Sequence, residues 1–353
     1  MRLSSTVDRY TAEDLATTIA RKAMVSRDMV IPFSDFTDVM TELFLLADPG
    51  SGRLITGGMM SPDTAIAADR AQFEVKEITG TSPFAGDADA VIEQIKTGDE
   101  TVYLANPNRV TGANFSLADL RLIAKALPEG TLIVDEHFYD FYGITALPLL
   151  QETGNVVIVR SLTTPFGISS DESGFVITTP TRARRIEERF DWTKISVTLH
   201  KILSTTLSNR EALSMRMKSL HDESLRLANT LTKMGVQTRI SATDFLLLRV
   251  ANPGKFVSDL ASHRIQAESL DDNAELTHYV RYRLQSPLSN DSLLKAVERM
   301  PSQIYQMASA DRRAIHLRRP AEQIEEAPFE IPAAVIERNR VVGKTKKDLV
   351  ESN

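Results

Sequence analysis

No cysteine occurs among the 353 residues. That absence excludes disulfides, thiolate nucleophiles and cysteine-ligated zinc, and by itself leaves the compartment open. No extended basic stripe or aromatic ladder runs through the chain, so nucleic acid is not an expected partner. No apolar run approaches the ~20 residues that a bilayer crossing needs. The opening segment, MRLSSTVDRYTAEDLATT, lacks the apolar core of a secretory signal. The cytoplasm is therefore the expected location, with no membrane association. The rest of the composition is that of a globular protein: 42% hydrophobic, 25% charged, with 41 basic and 47 acidic residues interspersed for a net charge of -6. The length suits one large domain and a smaller one, with enough chain to build a buried core.

Short β-rich runs alternate with helical ones. Residues from Ala12 to about Phe44 read as helices around an extended segment, Met29–Pro32. Asp48-Pro49-Gly50 marks a turn before a strand at Arg53–Thr56. Further strands are expected at Thr101–Ala105, Thr131–Val134, Asn155–Val159 and Gly174–Ile177, with an amphipathic helix over Leu117–Ala126. These runs do not alternate apolar with polar residues, which is the pattern of strands buried on both faces. A mostly parallel α/β sheet follows. Ligands gather at the carboxyl ends of such strands, where Asn106, Asp135 and Ser161 fall.

From about Thr181 to Met234 the pattern is helical and charged. Strand-like runs at Val236–Arg239, Phe245–Val250 and Tyr279–Leu284 then predict a small α+β domain. Beyond Met307, paired arginines (312–313 and 318–319), Pro320 and an acidic patch at Glu322, Glu325 and Glu326 read as a solvated tail. Phe329, Ile331, Val335 and Ile336 allow instead an arm laid on a neighbouring subunit. The expected division is an N-terminal helical segment (1–27), a large α/β domain (28–205), a small α+β domain (206–306) and a tail (307–353).

Several segments carry a resemblance. Asn106-Pro107-Asn108-Arg109-Val110-Thr111-Gly112, Val134-Asp135-Glu136-His137-Phe138-Tyr139-Asp140-Phe141 and Arg160-Ser161-Leu162-Thr163-Thr164-Pro165-Phe166-Gly167 come in that order. Ser241-Ala242-Thr243-Asp244-Phe245-Leu246-Leu247 and Val280-Arg281 follow. Together they resemble fold-type I, pyridoxal-phosphate-dependent aminotransferases of the histidinol-phosphate branch, from about Tyr10 to Met300. The resemblance implies a large domain with a mostly parallel central sheet, a small α+β domain and a dimer with sites at the subunit boundary.

It also implies roles, several of which this chain does not keep. The family lysine forms a Schiff base with the cofactor and shuttles the substrate's α-proton; Thr164 stands there. Lys194 and Lys201 are the next lysines downstream. The family's phosphate-pairing arginine is replaced by Glu172. Opposite unit charges ~4 Å apart attract by about 4 kcal/mol at an effective dielectric of ~20, and a carboxylate reverses the sign. Arg109 replaces an asparagine and Phe138 a tyrosine that both contact the cofactor's phenolic oxygen. Phe33-Ser34-Asp35 matches a Gly-Ser-Asp turn that cradles phosphate, with Phe33 adding bulk where glycine lets backbone N–H groups approach.

Other positions are kept. Asp135 matches the carboxylate that pairs with the pyridine nitrogen, and Ser161 a phosphate-contacting hydroxyl. Tyr10 matches a tyrosine that reaches the neighbouring subunit, and Arg281 the arginine that clamps a substrate carboxylate. Asp135 and Ser161 are equally explained as side chains that satisfy backbone groups at strand ends, and Arg281 as a plain ion pair. His137 replaces a small alanine on the face of the ring. It reads as a histidine hydrogen-bonded in a partly collapsed cavity, as an acid/base beside Asp135, or, with Asp135, Glu136 and Glu172, as a metal ligand without diagnostic spacing.

The expected outcome is an aminotransferase-like protein degenerate at the cofactor site. No cofactor is expected, and non-covalent pyridoxal phosphate is disfavoured by Glu172 and Phe33. It would act as a partner or regulatory subunit, in a homodimer or with a lysine-bearing paralogue, or bind a small carboxylate or phosphate. The alternative is a repurposed biosynthetic enzyme, with His137 as acid/base and Arg109 and Arg281 holding an anionic, amino-acid-like substrate. Charge balance predicts that Arg109 pairs with Glu172 or Asp135.

Overall fold

Helix starts are written into the sequence as caps. Ser61, Ser116, Asn252 and Ser286 each accept a hydrogen bond from a backbone N–H in the first turn that follows, and three of the four are followed directly by proline. Ser116 and Asp119 form a reciprocal capping box. The computed structural model describes residues 3–47, 52–168, 173–189, 191 and 210–307. Helices there are α1 (Leu3–Ala23), α2 (Phe36–Ala47), α3 (Pro62–Arg70), α4 (Ala88–Ile92), α5 (Leu117–Lys125), α6 (Tyr139–Tyr142), α7 (Leu149–Glu152), α8 (Pro180–Arg189), α9 (Arg210–Lys233), α10 (Pro253–Ser262), α11 (Pro287–Arg299) and α12 (Ser302–Tyr305).

A seven-stranded sheet is built from β1 (Val30–Phe33), β2 (Arg53–Gly57), β3 (Glu74–Ile78), β4 (Thr101–Ala105), β5 (Thr131–Asp135), β6 (Val156–Ser161) and β7 (Gly174–Ile177). Its order is β1-β7-β6-β5-β4-β2-β3. The five strands from β3 to β6 are parallel, while β7 runs antiparallel to both β6 and β1. The mostly parallel α/β sheet expected from the unbroken apolar runs is therefore present. β4, β5 and β6 are buried at every position, which is why they carry no polar alternation. The run EVKEI of β3 was not anticipated as a strand; it is a half-exposed edge with charged side chains.

The second sheet has four strands, β8 (Gln237–Ile240), β9 (Phe245–Arg249), β10 (Glu268–Ser269) and β11 (Tyr279–Arg283), in the order β10-β11-β9-β8. Every pairing is antiparallel. One buried apolar cluster surrounds the large sheet and another the small one. A third, of Met59, Phe138, Phe245, Leu247, Leu270 and Leu276, joins loops of the first sheet to β9. Phe138 thus has a packing role where the resemblance implies a cofactor-contacting tyrosine. No helix among the described residues is long and apolar enough to cross a membrane.

Candidate functional site

Because β4, β5 and β6 are adjacent and parallel, their carboxyl ends bring Asn106, Asp135 and Ser161 to one edge of the sheet. The turn after β4 is built from its own side chains. Asn106 accepts from the Phe115 N–H at 2.8 Å and donates to the Phe115 carbonyl at 3.2 Å. Asn108 accepts from the N–H groups of Val110 and Thr111 and donates to the Met59 carbonyl at 2.8 Å. Arg109 follows directly on this anchored turn, its side chain only 8% exposed.

The guanidinium of Arg109 lies 3.9 Å from Asp135 Oδ2 and 3.7 Å from Asp63 Oδ2. It also sits over the Phe36 ring, 4.4 Å from the centroid. The expected approach of Arg109 to Asp135 is seen; Asp63, at the start of α3, was not foreseen. Glu172, the other expected partner, lies outside the described residues, as do Lys194, Lys201 and the chain beyond 307.

Asp135 is completely buried. Its Oδ2 accepts from the Tyr103 hydroxyl at 2.8 Å, and its Oδ1 from the His137 backbone N–H at 3.0 Å. Tyr103 continues to Thr64 at 3.2 Å, and Thr64 to Ser61 at 2.9 Å. Burial pushes the Tyr103 phenol well above its ordinary value, and the Asp135 charge adds to the rise. Tyr103 is the partner that motif reading missed. It stands on the neighbouring strand, two residues before the end of β4.

The His137 imidazole lies edge-on to Phe36 and Phe138, with centroids 6.5 and 4.9 Å away. Its Nε2 is 2.7 Å from Thr164 Oγ1. Burial pushes its pKa well below the usual histidine value, and the charges of Arg109 and Arg283 push the same way. Both effects favour the neutral ring. Thr164 is fixed from its other side: its N–H donates to Ser161 Oγ at 3.0 Å, and its carbonyl accepts from Gly167 N–H at 3.0 Å. Arg216 of α9 donates to the Pro165 carbonyl at 2.9 Å and braces this turn.

Ser161 also accepts from the Thr163 N–H, so its hydroxyl serves local backbone groups. Phe33 ends β1, buried opposite Gly174, and its ring packs 6.5 Å from that of Phe36. A Cβ on Gly174 would collide with the Phe33 ring, so glycine is required there by close approach. Ser34 follows, its carbonyl accepting from the Ser173 hydroxyl at 3.4 Å, and Asp35 Oδ1 caps the start of α2 at the Asp38 N–H. Tyr10 falls within α1.

Arg281, on β11, faces Glu268 across the antiparallel register with β10. Its Nε donates to Glu268 Oε2 at 3.0 Å, a second nitrogen reaches the same oxygen, and Nη1 donates to the Arg109 carbonyl at 2.8 Å. A carboxylate of the chain itself sits on this arginine. Glu136, weighed as a metal ligand, is instead bound by Arg160 at 2.8 Å and by the Ala146 N–H at 2.6 Å. Arg160 stacks on Tyr139 with its guanidinium 3.6 Å from the ring centroid. Among the described residues no group of three or more histidine or acidic side chains is arranged to hold a metal.

These features fall within a matched family. The model of aminotransferase class I and II matches residues 3–276, and the chain belongs to that family. It is 27% identical over 265 residues to histidinol-phosphate aminotransferase 1 of Carboxydothermus hydrogenoformans, covering 73% of this chain and 74% of that protein. With the histidinol-phosphate aminotransferase of Ruminiclostridium cellulolyticum the identity is 23% over 239 residues, covering 67% and 66%. The fold is shared with the crystal structure of histidinol-phosphate aminotransferase from Sinorhizobium meliloti in complex with pyridoxal-5'-phosphate. There the TM-score is 0.72 at 17% identity, over 82% of each chain. The corresponding enzyme of Clostridium acetobutylicum gives 0.72 at 18% identity, over 80% of this chain and 87% of that one.

The family implies pyridoxal phosphate, and the residues described here do not fit it. At the position that the resemblance assigns to the Schiff-base lysine, Thr164 offers a hydroxyl already bonded to His137. Both oxygens of Asp135 are engaged by the chain itself: Oδ2 by Tyr103, with Arg109 nearby, and Oδ1 by the His137 N–H.

Proposed function

We propose that this chain is an atypical homologue within the aminotransferase family that does not carry out transamination. In this reading it serves as a partner or regulatory subunit, in a homodimer or with a lysine-bearing paralogue, or as a binder of a small carboxylate or phosphate in the cytoplasm. The observation that carries the reading is the Thr164–His137 hydrogen bond of 2.7 Å, at the position that the resemblance gives to the family's lysine. Two further contacts support it: the chain's own charges face Asp135 and Arg281, the two positions that family resemblance gives to cofactor and substrate.

The test is incubation of the purified protein with pyridoxal phosphate, followed by absorbance spectroscopy and borohydride reduction with intact-mass measurement. No cofactor band and no fixed mass adduct are expected. A bound-cofactor band together with an adduct on a lysine overturns the proposal. Recovery of a lysine-bearing homologue on purification from the native cell supports the heteromeric version; a strict homodimer argues for the homomeric one.

A second reading is favoured by one specific observation. A neutral, buried imidazole in contact with a half-buried hydroxyl is a working arrangement for acid–base chemistry. In that reading the chain is a repurposed enzyme, with His137 beside Asp135 as acid/base and Arg109 and Arg281 toward an anionic substrate.

A further inference from the structure

The hydroxyl of Thr164 and the imidazole of His137 are within hydrogen-bond reach, and neither has a part in Schiff-base chemistry. Activation of a hydroxyl nucleophile requires a base at this distance and a means of orienting that base. Both conditions are met. The ring of His137 is wedged edge-on between Phe36 and Phe138, and its backbone N–H is tied to Asp135. Thr164 is held by Ser161 at its N–H and lies in a turn that Arg216 braces at the next residue. With the ring proton on Nδ1, the Thr164 hydroxyl donates to Nε2.

We propose that Thr164 is a nucleophile and His137 its general base for acyl transfer from a carboxylic ester or thioester that carries an anionic group. The proposal rests on the repurposed-enzyme reading. In the step, Thr164 Oγ1 forms a bond to the carbonyl carbon while its proton passes to His137 Nε2. The bond from carbon to the leaving oxygen or sulfur then breaks, that atom keeps the electron pair, and His137 returns the proton to it. The products are an acyl-threonine and a free alcohol or thiol. Water then attacks the acyl carbon while the same imidazole takes its proton. The bond from that carbon to Thr164 Oγ1 breaks, Oγ1 keeps the electron pair and takes the proton back from His137, and the carboxylic acid is released.

The surroundings suit this polarity. Burial, and then the charges of Arg109 and Arg283, disfavour a charged imidazole and weaken it as a base. Proton transfer therefore relies on the 2.7 Å contact with the hydroxyl, and the proton is passed on to the departing group. The same cations favour the oxyanion that develops on the carbonyl and an anionic substituent on the donor. Arg283 is more than half exposed, in an ion pair with Asp244 at 3.1 Å.

The test uses the full chain with a fluorophosphonate probe and, separately, p-nitrophenyl acetate. A single fluorophosphonate adduct is expected on the peptide containing Thr164. It disappears in Thr164→Val, a nearly isosteric change, persists in Thr164→Ser, and forms at least tenfold more slowly in His137→Gln. The labelling rate is flat between pH 6 and 8 and falls only in acid, as a neutral imidazole requires. No adduct at Thr164, or one whose rate ignores His137→Gln, overturns the proposal. If ester hydrolysis falls in His137→Gln but not in Thr164→Val, the nucleophile is water: the threonine proposal fails and the acid–base reading of His137 stands. If neither substitution alters hydrolysis, both fail.

Discussion

Replacing Arg109 with glutamine isolates the electrostatic centre of the site. At 3.9 Å and an effective dielectric of about 20, the Arg109–Asp135 attraction is about 4 kcal/mol before desolvation is counted. Removing one member of a buried pair costs about 3–5 kcal/mol because the other charge is left uncompensated. Asp135 would keep the Tyr103 hydroxyl and the His137 N–H, which places the expected loss near the lower end, about 3 kcal/mol. That corresponds to a fall in Tm of about 4 °C for a chain of this size. The assay is urea unfolding followed by circular dichroism, on Arg109→Gln, Asp135→Asn and the double variant. The double variant should recover at least about 1.5 kcal/mol relative to the sum of the single changes. The His137 resonance should also titrate at higher pH in Arg109→Gln, since that charge is one of those holding the imidazole neutral. A loss below about 1 kcal/mol with additive single changes would refute the pairing.

Three further outcomes follow from buried groups. His137 has a folded pKa below its ordinary 6.5, so below that pH the unfolded chain takes up a proton that the folded chain refuses. Stability then falls with falling pH by up to about 1.4 kcal/mol per unit, and His137→Gln should remove that part of the slope in acid unfolding curves. For Glu100, burial pulls the carboxyl upward, but hydrogen bonds from the N–H groups of Lys96, Thr97 and Gly98 outweigh it and hold the pKa at about 2. Its contribution is complete above about 4.5 and is lost as pH falls toward 2; Glu100→Gln should lower stability at neutral pH and flatten the acid limb. Arg160→Met strands the buried Glu136 carboxylate and should cost about 3–5 kcal/mol in urea unfolding. A loss under about 1 kcal/mol would show that Glu136 finds another partner.

Much of the large sheet was legible because its strands are buried on both faces. Thr101–Ala105, Thr131–Val134 and Asn155–Val159 read as runs without polar alternation, and a parallel arrangement of such runs gathers their carboxyl ends. β3 and the two-residue β10 were not legible. Each lies on an edge and leaves side chains in solvent, so neither carries an apolar signature. The motif positions themselves, Arg109, Asp135, His137, Ser161, Thr164 and Arg281, were picked out by their resemblance to the family's motifs.

Their partners could not. Asp63, Tyr103, Glu268 and Arg160 stand 46, 32, 13 and 24 positions from the residues they meet, and none belongs to the motif it completes. The sequence alone determined which functional groups this chain has at the strand ends, because side-chain chemistry is local. Only the tertiary structure decided how those groups are satisfied. Strand order and register set which side chains share a few cubic ångströms, and there Asp135 meets Arg109 and Tyr103, Arg281 meets Glu268, and His137 meets Thr164.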